Sequence, residues 1–137
     1  ISLLAPVICS GNTAVVLAGE SDAARLCACV LGEVFATSDL PGGVVNILTS
    51  TRAELVQVVA DHRDIDGVHA CAADSKGGTA AASAEQVAVL RSGAGENLKR
   101  VRIVPAATDW FDGPACSTPW WVEPFVEFKT VWHPSAV

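Results

Sequence analysis

Few side chains of this sequence are spaced for chemistry, and those few can be weighed one by one. Five cysteines, Cys9, Cys27, Cys29, Cys71 and Cys116, form an odd set with no Cys-x-x-Cys pair. That pattern fits neither a zinc site nor a disulfide framework and indicates small apolar side chains kept reduced. Cys27 and Cys29 fall on a stretch of helical periodicity, where residues two apart point about 200° away from each other and cannot easily share a metal. Cys116, in Pro114-Ala-Cys-Ser-Thr-Pro119, has no neighbouring His or Glu to lower its pKa, so no thiolate nucleophile is evident and no catalytic residue is assigned. His62, His69 and His133 have no second ligand at useful spacing, and no metal site is expected. The run Asp74-Ser-Lys-Gly-Gly-Thr79 gathers Lys, two glycines and Thr, yet lacks the Gly four residues ahead of Gly-Lys-Ser/Thr that a phosphate loop needs. It reads as a surface loop.

The elements that would position these groups alternate. Ile1 to Ser10 reads as a buried helix ending at Gly11, with no capping residue at its start, which leads to the expectation of further residues upstream. Ala14 to Leu17 is a short apolar run suited to a parallel strand. Ser21 or Asp22 can cap the following helix, whose Leu26, Val30, Leu31, Val34 and Phe35 keep helical spacing up to Ser38. Gly42-Gly43 turns into a second strand, Val44 to Leu48. Thr51, three residues before Glu54, predicts a cap for a helix through about Asp61. Asp64 to Ala70 supplies a third strand, Ser83 to about Gly93 a third helix, and Asn97 to Val104 a fourth strand. This rhythm predicts an α/β fold with a Rossmann-like parallel sheet and right-handed crossovers.

The alternation stops at Pro105. From there to Trp121 three prolines and Asp112-Gly113 mark an irregular linker. Phe125 to Trp132 is strand-forming and has no local partner, so it is suited to pairing with the edge of another sheet. The expected organisation is a domain over 1–104, a linker over 105–121 and an oligomerisation strand over 122–137. Trp110, Trp120, Trp121 and Trp132 cluster in this last third, where core packing and partner contact are both open.

With 137 residues, 50% of them apolar, a net charge of −6 and a positive mean hydropathy, the chain is folded and acidic. It lacks the basic face that nucleic acid requires. Its apolar runs break before the ~18–20 residues of a membrane span, and no signal sequence opens it. A cytoplasmic protein without membrane or nucleic-acid partners is expected.

The Gly11-Asn-Thr strand opening and Leu40-Pro-Gly-Gly-Val-Val-Asn46 resemble the start of the cofactor domain of the aldehyde dehydrogenase superfamily. His62-Arg-Asp-Ile-Asp-Gly-Val68 is similar to the segment before its Phe-Thr-Gly-Ser turn, and Asn97-Leu-Lys-Arg-Val101 to the approach to its Glu-Leu-Gly-Gly motif. Val126-Glu-Phe-Lys-Thr-Val131 resembles the strand by which its oligomers assemble. The likeness extends to a short branch of actinobacterial type that lacks the catalytic-cysteine domain. It implies an NAD(P)-type groove around Asn12, Leu17, Glu20 and Gly43, with Glu20 either as a ribose ligand or as an ordinary first-turn acid.

The family's chemical groups are replaced. Its Lys-x-x-Glu becomes Leu17-Ala-Gly-Glu20, its Gly-Ser turn becomes Ala72-Ala73, and its general base aligns with Val104. The family places about 150 or more residues, a domain's worth, between the base and the assembly strand. Here about twenty intervene. The resemblance therefore implies a non-catalytic subunit acting as an assembly or partner scaffold, alone or with a full-length paralogue, with no cofactor. The alternative is an NAD(P)-binding oxidoreductase component whose catalytic cysteine comes from another chain or from a segment beyond this sequence.

Overall fold

The computed structural model describes residues 1–73 and 81–134. The Asp74–Thr79 loop read from the sequence lies outside the described residues. The elements run α1 (Ala5–Cys9), β1 (Ala14–Leu17), α2 (Asp22–Ala36), β2 (Val45–Leu48), α3 (Arg52–Asp61), β3 (Gly67–Cys71), α4 (Ala84–Asn97), β4 (Arg100–Val104) and α5 (Gly113–Cys116). Two single-turn 3-10 segments follow, Pro119–Trp121 and Glu123–Phe125.

The mixed α/β alternation is present, and every strand pair is parallel. The four strands form two sheets rather than one: β1 pairs with β2 from Ala14 opposite Val45 to Leu17 opposite Leu48, and β3 pairs with β4 from Gly67 opposite Arg100 to Cys71 opposite Val104. No backbone hydrogen bond joins β1 to β3. Instead every residue of both strands lines a cleft of about 440 Å³, so the two sheets face each other across it.

Several boundaries differ from the sequence reading, the third strand among them, which begins at Gly67 rather than Asp64. The first helix is only Ala5–Cys9 and buries none of its residues; Ile1 to Leu4 form a turn that closes on the Ile1 carbonyl. The chain leaves α1 through Gly11 at φ +82°, a left-handed conformation open to glycine. The third helix continues through Asn97, because Ser83 and Gln86 form a reciprocal capping box at its start and Leu98 ends it at φ 56°. The fourth strand accordingly begins at Arg100. Residues 126–134 lie in no ladder: the expected C-terminal strand has no second strand beside it to exchange hydrogen bonds with.

The tightest packing lies between α3 and α4. Ala60 is fully buried, and a Cβ built on Gly93 would stand 2.6 Å from its carbonyl oxygen, so the crossing admits only glycine. Lys99, 6% exposed, sends its ammonium to the carbonyls of Val59, Ala60 (3.1 Å) and His62 (2.8 Å), which close the end of α3. Burial lowers its pKa, and Asp61 and Asp66 oppose that shift. Three charge-assisted bonds offset the desolvation of one cation.

Gly93→Ala is expected to destabilise the protein by about 3 kcal/mol or more, since backbone rather than a movable side chain occupies the space. Lys99→Met should cost about 2–3 kcal/mol by stripping buried carbonyls of their donor. Denaturant midpoints at unchanged slope would measure both.

Candidate functional site

In open parallel α/β folds, ligands settle beyond the carboxyl ends of the strands, at the point where consecutive connections diverge. In this chain β1 connects outward to β2 and β3 outward to β4, so that point lies between the ends of β1 and β3. Leu17 at the end of β1 and Cys71 at the end of β3 both line the cleft there.

Glu20 is already committed. Its Oε1 accepts from the Arg52 backbone N–H at 2.8 Å, and its Oε2 stands 3.7 Å from Arg52 Nη2. Thr51, the cap expected from sequence, makes no side-chain cap bond, and Glu54 instead accepts from the Ser50 hydroxyl at 3.0 Å. A carboxylate thirty-two residues upstream thus caps α3, where the exposed first-turn N–H groups and the helix dipole favour an anion.

The backbone donors at the end of β3 are spent as well. The Ala72 N–H binds the Val104 carbonyl at 2.9 Å, the Ala73 N–H binds the Ala82 carbonyl at 2.8 Å, and Ala82 returns a bond to Cys71. At the start of α4 the Ser83 hydroxyl takes the Gln86 N–H while Gln86 takes the Ser83 N–H. Burial raises the Cys71 thiol, which keeps it protonated. Leu17 contributes apolar surface only. As arranged, the described residues do not fit a dinucleotide: Glu20 is engaged by Arg52, and the Ala72 and Ala73 amides that would meet a phosphate have internal partners.

The four residues of the implied groove are divided. Leu17 and Glu20 lie at the carboxyl end of β1. Asn12 and Gly43 lie at the opposite end, where the Ala14 N–H binds the Val44 carbonyl. The intervening strand separates the pairs by roughly 10 Å at 3.3 Å per residue. Asn12 and Leu17 line the central cleft, whereas Gly43, at φ +87°, lines a separate depression between α2 and the outer edge of β2. Asn12 uses its amide structurally, donating to the Ser10 hydroxyl and to the Phe125 carbonyl, both at 2.8 Å.

Sequence reasoning missed the residues that gather the C-terminal segment. Arg100 Nη1 donates to the carbonyls of Val126 (2.8 Å) and Pro124 (3.3 Å), and its Nη2 lies 3.4 Å from Glu127. Arg102 donates to the Trp120 carbonyl at 2.9 Å and stacks on Trp121, 4.5 Å from the ring centre. Alternate arginines on β4 were the available signal, because residues two apart on a strand share a face. Trp121 is thus held against the sheet, while Trp120 and Trp132 are 66% and 82% exposed. Cys116 donates to the Asp109 carbonyl, and no group of three His, Cys, Asp or Glu side chains suited to a metal occurs among the described residues. Among those residues no helix is long and apolar enough to cross a membrane.

A family model described as the aldehyde dehydrogenase family matches residues 1–101. No match was found among curated proteins or among solved structures.

Glu20→Ala should lower stability by about 1 kcal/mol, the ordinary cost of losing a helix cap, with helix α3 becoming the least protected in amide exchange. Glu20→Gln, whose side-chain oxygen still accepts from Arg52, should recover part of that loss.

Proposed function

Because the chain belongs to the aldehyde dehydrogenase family, we propose that it serves as a non-catalytic subunit of that family, an assembly scaffold rather than a dehydrogenase. On this reading residues 1–104 are a cofactor-type Rossmann-like domain retained for its shape, 105–121 a linker, and 122–137 the oligomerisation strand. The observation that carries the proposal is the state of the C-terminal segment.

Residues 126–134 leave the Arg100 clamp without a ladder partner, and Phe128, Val131 and Trp132 are 80%, 72% and 82% exposed. A segment rich in aromatic and β-branched side chains that takes part in no strand ladder is a template for strand addition. A second copy of the chain would supply the sheet edge. Chain association would also cover apolar groups now facing water on α2, where Leu26, Val30 and Val34 recur every four residues and are 68%, 60% and 54% exposed.

The second reading, a subunit that binds NAD(P) and borrows its nucleophile, has the central cleft in its favour, since Leu17 and the end of β3 line it. Against it stand the internal partners of Glu20, Ala72 and Ala73. A bound dinucleotide would supply hydride-transfer chemistry. None of the described residues is arranged as its base or nucleophile.

Deleting residues 126–137 should convert an oligomer into monomer or aggregate in light scattering, with the helical signal retained. An unchanged oligomer after the deletion contradicts the assembly role. If the chain alone is monomeric and gains mass only with a full-length family member, the scaffold is heteromeric.

A further inference from the structure

His69, on β3, stands in register with Arg102 of β4, and the two hold the segment 119–126 by different means. The His69 ring packs 5.0 Å from the Phe125 ring and 6.1 Å from Trp121, whose other neighbours are Trp110 at 5.4 Å and the Arg102 guanidinium. Its Nδ1 lies 2.8 Å from the Leu3 carbonyl. A carbonyl only accepts, so Nδ1 carries the proton, and in the neutral ring Nε2 holds a lone pair. That Nε2 is buried and has no hydrogen-bond partner among the described residues. One imidazole therefore ties the N-terminal turn, the β3–β4 sheet and the C-terminal segment together.

We propose that His69 is a pH-operated latch: its neutral ring holds residues 119–126 against the N-terminal turn and the sheet, and its protonation releases them. A second proton would place an N–H at Nε2 where no acceptor stands. It would also set a second cation beside Arg102, which already occupies the Trp121 ring. The groups facing His69 are Arg102 from β4, the Leu3 carbonyl from the N-terminal turn, and the Trp121 and Phe125 rings from the C-terminal segment. Among the described residues no carboxylate contributes to its electrostatics. Burial, the largest effect, and Arg102 both lower its pKa, while the Leu3 carbonyl opposes them.

The sign follows directly. Above about pH 6.5, the ordinary histidine value, the ring is neutral in both states and the latch is at full strength. As the pH falls below that value the released state takes up the proton first, so release is favoured. Each unit separating the two pKa values changes the balance about tenfold. The latch does not depend on the assembly role, because the segment's own amides report it whether or not chains associate.

Amide exchange of the full chain, corrected for its intrinsic pH dependence, provides the test. The Val122, Phe125 and Val126 amides, each bonded within the segment, and the Trp121 amide, bonded to the adjoining Thr118 carbonyl, should lose protection between pH 7.5 and 5. Protection of the α3 and α4 amides should hold. His69→Asn keeps a side-chain N–H donor for Leu3 but has no ring and does not titrate, so in that variant the protection of the segment, at whatever level, should not change between the two pH values. Unchanged protection of the wild-type segment overturns the proposal. So does an equal pH response in His69→Asn, which would assign the effect to His62 or His133. Should the variant fail to fold, the imidazole resonances of His69 in the wild-type chain decide: titration at or above the ordinary value overturns the latch, and titration below it supports the latch.

Discussion

The arrangement depends on one junction, where the end of α3 is pressed against α4 and sealed by Lys99. Ala60 and Gly93 bring the two helices into backbone contact, and the Lys99 ammonium takes up the carbonyls that the last turn of α3 leaves over. Lys99 immediately precedes β4. The same side chain therefore ties helix α3 to the start of that strand and, through the Gly67–Arg100 pairing, to the start of β3. With that junction formed, the amino ends of β3 and β4 have little freedom, and Arg100 and Arg102 are presented from a fixed strand toward the C-terminal segment.

Polar groups at the ligand-facing end of the fold have found partners within the chain. Glu20 caps α3, Ala72 and Ala73 bond to Val104 and Ala82, and Ser83 is paired with Gln86. Such bonds contribute about 1 kcal/mol each, and all of them would have to be exchanged before a phosphate or ribose could bind in their place. Conversely, the apolar side chains of residues 128–132 and of α2 face water and contribute nothing to stability until something covers them. The site end is satisfied and the outer surfaces are not, which is the physical basis for reading this member of the aldehyde dehydrogenase family as a scaffold.

Most elements were legible because their signals are local. The apolar run at Ala14–Leu17, the Ser21 cap, which accepts from the Ala24 N–H at 3.2 Å, and the spacing through Phe35 each depend on neighbours a few residues away. What was not legible depends on distant partners. Glu20 displaces Thr51 as the cap of α3 across 32 residues, and the Asn12 amide reaches Phe125 across 113. Neither contact leaves a periodicity in the sequence. The division into two sheets was equally hidden, since the β1 and β3 sequences fix strand character and not whether the two edges exchange hydrogen bonds. The four residues of the implied groove were placed together by family likeness, and the length of β1 sets Asn12 and Gly43 at the far end from Leu17 and Glu20.

Calorimetric titration of the full chain with NAD and with NADP tests the central claim most directly, because it asks whether the internal partners of Glu20, Ala72 and Ala73 have replaced the dinucleotide. The scaffold reading expects no saturable heat for either dinucleotide up to millimolar concentration. Micromolar binding of either one, a free energy near −8 kcal/mol, would contradict it and restore the chain to the dinucleotide-binding members of its family.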